Sequence, residues 1–161
     1  MGAAAVVTNS SGDIFLGRSI RGMRELPGGR VEAGESAQAA VVRELAEGTG
    51  PTAYEEDAHV ITILHDDRLD MRRISPVIRV TDWEGEPVLR GPERFSRWEW
   101  HPLHTLATLG RIFMPSAQAL NAVWPGTLPG LPPIHSYPCA VAVPSRARRA
   151  GRGHAAARPD G

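Results

Sequence analysis

Residues Gly29–Pro51 read GRVEAGESAQAAVVRELAEGTGP, and the fold of the whole chain turns on them. A glycine-rich turn, Leu26-Pro27-Gly28-Gly29, leads in, and a second turn follows at Ala33-Gly34. The apolar spacing then predicts a helix of about three turns. Gly48-Thr49-Gly50-Pro51 stops it, because neither glycine nor proline continues a helix cheaply. Gly48 is expected to bring the helix end forward through a left-handed cap. At 100° per residue, Glu44 and Glu47 project about 60° apart on one flank. Ala37, Val41, Val42 and Leu45 form a separate arc that can face a core. Two carboxylates on one flank, beside glycine loops that let a ligand reach the backbone, can hold Mg²⁺ and a phosphorylated substrate.

The chain has 161 residues, enough for one domain with its own core. Hydrophobic residues make up 42%, which fits a globular protein and not a disordered one. Formal net charge is zero, so the overall field gives no case for nucleic-acid binding. Cys139 is the single cysteine, which excludes an intrachain disulfide. No segment approaches the ~20 apolar residues of a membrane span. The start, MGAAAVV, lacks the basic region and long apolar run of a signal peptide, so the cytoplasm is the expected location. All 18 basic residues are arginine, which suggests a GC-rich bacterial genome.

Outward from the helix, Ala3 to Thr8 reads as a buried strand and Asn9 to Asp13 as a hairpin turn. Ile14 to Gly17 returns as a second strand. Beyond the helix, His59 to His65, Ile74 to Val80 and Arg94 to Trp100 read as strands, with Pro76 marking an edge or a bulge. Leu103 to Leu109 is turn-like. Pro115 to Trp124 reads as a second helix, with Ser116 as its cap. From Pro125 onward, prolines break regular structure, which predicts an extended or partly disordered arm over 125–144. Residues 145–161 hold five arginines and no aliphatic side chain beyond alanine, and read as a disordered tail.

The Gly29–Pro51 stretch resembles the signature of the Nudix hydrolases. That signature reads Gly, five residues, Glu, seven residues, Arg-Glu, an aliphatic residue, any residue, Glu-Glu, any residue, Gly, aliphatic. Here it runs Gly29, Glu35, Arg43, Glu44, Leu45, Glu47, Gly48, Gly50, Pro51, and six of the seven fixed non-aliphatic positions match. The departures are Gly48, where the family carries the second Glu of the pair and a principal metal ligand, and Pro51. The resemblance covers residues 3–124. It implies an α/β fold, a sandwich of a mixed sheet between helices with a loop–helix–loop motif, forming one domain over 1–124. Trp98-Glu99-Trp100 also looks like the ending of the last strand in the MutT-like branch.

The resemblance implies hydrolysis of a nucleoside diphosphate linked to another group, assisted by Mg²⁺, with Mn²⁺ as the alternative ion. Glu44 and Glu47 match the family's ligand positions, and Glu44 also acts as, or positions, the base. The backbone carbonyl at Gly28 or Gly29 is the expected further ligand. Glu93, on the loop before the last strand, matches the extra carboxylate of the MutT-like branch; the competing reading is a surface Glu in a turn. Arg18, Arg21 or Arg24 can meet phosphate oxygens through the guanidinium fork, against the reading of a solvated loop arginine. Trp98 and Trp100 share one sheet face and can stack on a nucleobase or belong to the core. Glu35 and Arg43 are expected to stabilise the motif by ion pairing, while Gly29, Gly34 and Gly50 serve backbone angles and close approach.

Gly48 leaves three readings open. Glu44, Glu47 and Glu93 suffice for the metal; or Glu55, Glu56 or Asp57 folds back as a substitute; or catalysis is lost and the domain is a nucleotide-binding or regulatory module. The expected partner is a small nucleotide or nucleoside diphosphate derivative, with no membrane. Nucleic acid is disfavoured because only the tail arginines suggest it. A homodimer through apolar edges near Ile74 to Val80 is open, and the substrate is not given.

Overall fold

A computed structural model describes residues 1–67 and 72–140. The strands are β1 (Gly2–Val7), β2 (Ile14–Ser19), β3 (Arg24–Glu25), β4 (Gly28–Arg30), β5 (Ala58–Asp66), β6 (Arg73–Val80), β7 (Phe95–His101) and β8 (His135–Pro138). Among the described residues the two α-helices are α1 (Ala37–Thr49) and α2 (Met114–Val123). Five strands form one sheet in the order β4-β1-β6-β5-β8, and three form another in the order β3-β2-β7. The β1–β6 pairing is parallel and the others are antiparallel, so the larger sheet is mixed as expected.

Strand alternation divides the interior in two. Ala3, Ala5 and Val7 of β1 join Phe15, Ile78 and Val80 under Val41 and Leu45 of α1. Val6 of β1 points the other way, with Ile14, Leu16 and Val77, toward Ala117 and Leu120 of α2. Successive strand side chains leave opposite faces, so each sheet serves both helices. Ala37 and Val42 pack at the margin of the first cluster, completing the predicted arc of α1. Burying a side chain the size of Phe15 or Leu45 contributes about 1.5–3 kcal/mol.

Several local expectations need correction. Gly28 and Gly29 lie in a strand, paired with Ala4 and Ala3, and not in a free turn. Gly48 stays inside α1 without a positive φ, and the left-handed residue is Gly50, at φ 102°. Ser116 does not cap α2; its hydroxyl accepts from the Leu26 amide at 3.0 Å and ties the helix to the strand ahead of the site. From Val77 onward β6 is an interior strand, flanked by β1 and β5, and Val77, Ile78 and Val80 are buried, so the apolar edge expected for a dimer is closed over that half; Ile74, ahead of the β1 ladder, is exposed. Pro76 is tolerated because the β1 ladder begins only at Val77, and the ladder irregularity lies in β5, between Val60 and Thr62. The arm is not irregular throughout, since His135–Pro138 pairs with Thr62–His65 of β5. The expected disordered tail, 145–161, lies outside the described residues.

Candidate active site

α1 is anchored before any site residue is reached. Ser36 caps it, its hydroxyl accepting from the Ala39 amide at 2.9 Å. At the other end the segment after Trp83 clasps the helix: the Val88 amide donates to the Thr49 carbonyl at 2.7 Å. Arg90 Nη1 donates to the Ala46 carbonyl at 2.8 Å, meeting the exposed carbonyls that end a helix. The C-terminal half of α1 and the 90–95 loop therefore face each other across a cleft.

That cleft holds about 190 Å³ and is lined by Gly28, Glu44, Glu47, Gly48, Glu93 and Trp98, together with Pro27, Thr49, Arg90, Gly91, Arg94 and Phe95. The structure thus brings five sequence-predicted residues, Gly28, Glu44, Glu47, Glu93 and Trp98, to one place. Gly29 adjoins them: a β-carbon there would fall on the Glu44 carboxylate. Gly28 has φ 152°, and a β-carbon on it would strike the Ala3 carbonyl, so only glycine lets β4 lie this close to β1.

Arg43 organises the acidic side. Its Nε and Nη2 grip Glu35 at 2.9 and 3.0 Å, and Nη2 also donates to the Arg30 carbonyl at 3.0 Å. Its Nη1 lies 3.1 Å from Glu44 and 3.5 Å from Glu47. The Arg43 guanidinium on both its oxygens, and the Glu32 amide donating to the Oε2 that Nη2 also binds, hold the Glu35 carboxyl below the usual range. The same hydrogen bonds to Glu35 raise Arg43 above its ordinary value. Glu44 is thus oriented from two sides, by the Gly29 backbone and by Arg43.

The arginines chosen from sequence lie elsewhere. Arg24 donates from Nη1 to the Leu109 carbonyl at 2.9 Å, Arg21 pairs with Glu25 at 3.7 Å, and neither Arg18, Arg21 nor Arg24 lines the cleft. Arg90 and Arg94 do, from the loop that also carries Glu93. Trp98 stacks on Phe15 at 5.3 Å and meets Phe95 at 4.6 Å, forming an aromatic wall. Gly17 makes room for it, since a β-carbon there would run into both Trp98 and Phe95. Trp100 packs between Phe15 and Trp83 and is outside the cleft. Glu55 accepts from Ser36 at the far end of α1, and none of Glu55, Glu56 and Asp57 lines the cleft, so the proposed substitute for the missing carboxylate is not there.

Among the described residues no three His, Cys, Asp or Glu side chains gather into a ready-made metal cage. The donor set instead suits an ion held partly by its substrate: Mg²⁺ keeps several waters and takes one or two carboxylates plus phosphate oxygens. Glu44 and Glu47 supply hard oxygen donors of that kind. No helix among the described residues is long and apolar enough to cross a membrane.

Comparison with known proteins agrees with this arrangement. The NUDIX domain family model matches residues 1–121. A Haemophilus influenzae protein named 8-oxo-dGTP diphosphatase is 31% identical over 115 residues, spanning 65% of this chain and 76% of that protein. The MutT NUDIX hydrolase of Burkholderia pseudomallei is 26% identical, with a TM-score of 0.66 over 76% of this chain and 95% of its own. A MutT structure from work on Aliivibrio salmonicida and Vibrio cholerae is 32% identical, with a TM-score of 0.53 over 66% of this chain and 82% of its own. The signature on α1, the sandwich and these likenesses agree, and the chain belongs to the NUDIX domain family as a MutT-like Nudix hydrolase.

Proposed function

We propose that the protein is a Mg²⁺-dependent hydrolase that cleaves a pyrophosphate bond in a nucleoside triphosphate or a nucleoside diphosphate derivative. The observation that carries this reading is the convergence of Glu44, Glu47 and Glu93 with two arginines and an aromatic wall on one cleft. The carboxylates offer oxygen to a cation, the arginines offer charge to phosphates, and Trp98 and Phe95 offer a flat apolar surface to a base. Glu44, Glu47 and the Gly28 carbonyl would hold the ion, with Mn²⁺ as a substitute for Mg²⁺. When bound, the ion offsets phosphate charge and lowers the pKa of water. In the reaction a water oxygen bonds to phosphorus, the bridging P–O bond breaks, and one proton from water passes to a carboxylate. Glu93 is our assignment for that acceptor. Glu44 and Glu47 are held by Arg43, whereas Glu93 has no ion pair among the described residues. The H. influenzae relative supports trying an oxidised guanine nucleotide first. The reading places the work in the cytoplasm, where such nucleotides are found.

The test is release of phosphate and pyrophosphate from 8-oxo-dGTP, the four deoxynucleoside triphosphates, ADP-ribose and a diadenosine polyphosphate, with Mg²⁺ and with Mn²⁺. Turnover by wild type that E47Q and E93Q reduce by about a hundredfold or more would establish the hydrolase and its substrate class. No turnover of any of them, with nucleotide binding intact, would replace it with a binding module.

A further inference from the structure

Within the functional reading above, on which this inference rests, we propose that Arg94 is the residue that grips the phosphate chain of the substrate. Among the described residues the cleft contains two guanidinium groups, of which one is available. Arg90 is spent on the Ala46 carbonyl at 2.8 Å. Arg94 lines the same cleft with no hydrogen bond or ion pair from its side chain among the described residues. The neighbouring Arg43 is also committed, to Glu35, Glu44 and Glu47.

The backbone under Arg94 is fixed while its head is free. Its amide donates to the Gly91 carbonyl at 3.0 Å, closing a turn that Gly91 permits with φ 68°. Its carbonyl accepts from the Ile20 amide at 2.9 Å. The guanidinium lies 5.6 Å from the centre of the Phe95 ring, a cation–π distance that steadies the head without consuming a donor. All the N–H groups of a planar fork thus remain available beside three carboxylates whose ion would draw phosphate oxygens in. Two parallel N–H···O bonds to non-bridging oxygens are the geometry this fork favours. Arg94 therefore acts on binding, and its loss is expected to raise KM more than it lowers kcat.

The experiment uses the full chain with Mg²⁺ and whichever of 8-oxo-dGTP, dATP, dCTP, dGTP and dTTP is turned over fastest. Kinetics and equilibrium binding are measured for wild type, R94A and R94K, with the matching deoxynucleoside as control ligand. R94A is expected to raise KM by about tenfold to a hundredfold, the size of one charged hydrogen-bonding group. Its kcat should stay within about threefold of wild type and its deoxynucleoside affinity should not change. R94K should recover part of the loss, having the charge without the fork. An unchanged KM in R94A, or an equal loss of deoxynucleoside binding, would overturn the assignment while leaving the hydrolase reading intact. Wild type that neither binds nor cleaves any of these triphosphates would overturn the Arg94 assignment, and only failure against ADP-ribose and the diadenosine polyphosphate as well would overturn the hydrolase reading with it.

Discussion

The carboxylate of Glu44 occupies the space that a side chain at Gly29 would fill. A β-carbon on Gly29 would overlap Glu44 Oε1 and Cδ, and the three atoms nearest to it outside its own neighbours in the chain all belong to the Glu44 carboxylate. G29A should therefore leave β4 paired with β1 but drive the Glu44 head out of the cleft. A misplacement of about 1 Å near the chemistry costs on the order of a hundredfold in rate, so kcat/KM should fall by about that much. A melting temperature within a few degrees of wild type, alongside that loss, would separate displacement from unfolding.

Arg43 binds Glu35 with two parallel hydrogen bonds, and only a planar fork can do so while a third nitrogen reaches Glu44. R43K keeps the charge and loses the fork. It should lower the melting temperature and also weaken Mg²⁺ binding, because Glu44 and Glu47 lose their common brace. The acid limb follows from Glu35. Its folded value lies below its ordinary 4.5, so the unfolded chain binds more protons as pH falls. Its contribution is whole above pH 4.5 and is lost as pH drops through the lower folded value. E35Q should flatten that part of a stability–pH curve, and an unchanged curve would remove the ion pair from the account.

How much of this was legible in the residues follows from what each element had to signal. α1 was legible because its apolar arc, its flanking glycines and its charged flank repeat at helical spacing, and Val41 and Leu45 are buried as that arc requires. β1 was legible as a buried apolar run, β5 by its partial alternation, and β7 by Trp98 and Trp100 alternating with Glu99. β8 gave no such signal: all four of its residues are exposed, one is proline, and only pairing with β5 makes it a strand. Ser116 looked like a cap by its place before an apolar run, yet a buried amide at Leu26 claimed its hydroxyl.

The site shows the same division. Glu44, Glu47 and Gly28 were readable because they sit at fixed intervals along one local motif. Arg94 and Arg90 were not, because their relevance depends on a loop that folds back on the helix end more than 40 residues earlier in sequence, as with Arg90 and Ala46 at a separation of 44. Arg24 was singled out for its nearness to the glycines, but its guanidinium turns away to Leu109. Proximity along the chain stood in for proximity in space, and it failed where strand pairing intervened.

His101 provides a pH dependence from the other end of β7. Its Nε2 is buried without a hydrogen-bond partner, 3.7 Å from Glu99 Oε2. Burial lowers its pKa from 6.5, and Arg24 and Arg97 add to that, against the opposing pull of Glu99 and Asp13. The unfolded chain therefore takes up the proton first as pH falls. Stability should be full above pH 6.5 and decline below it, with the loss complete once pH has passed the lowered folded value. H101Q should lose this slope between pH 7 and 5 when unfolding is followed by denaturant titration. A wild-type midpoint that is flat over that range would show the imidazole is not buried neutral.

Gly48 is the position where adding a group is the informative change. It lies inside α1 and in the cleft lining, and a β-carbon there meets nothing within 4 Å, so G48E has room. Replacing an interior helical glycine contributes about 0.5–1 kcal/mol through the unfolded chain. A negative charge near the helix C-terminus opposes it by about 0.3–1 kcal/mol, so net stability should hardly move. The effect should fall on the ion. A third carboxylate beside Glu44 and Glu47 should strengthen Mg²⁺ binding by about tenfold or more, since affinity for hard cations rises with ligand charge count. G48Q gains the same backbone benefit without the charge, and should bind Mg²⁺ as wild type does. Calorimetric titration of the three proteins decides the matter: equal affinities in wild type and G48E would mean that residue 48 does not reach the ion, and that the natural glycine costs the site nothing.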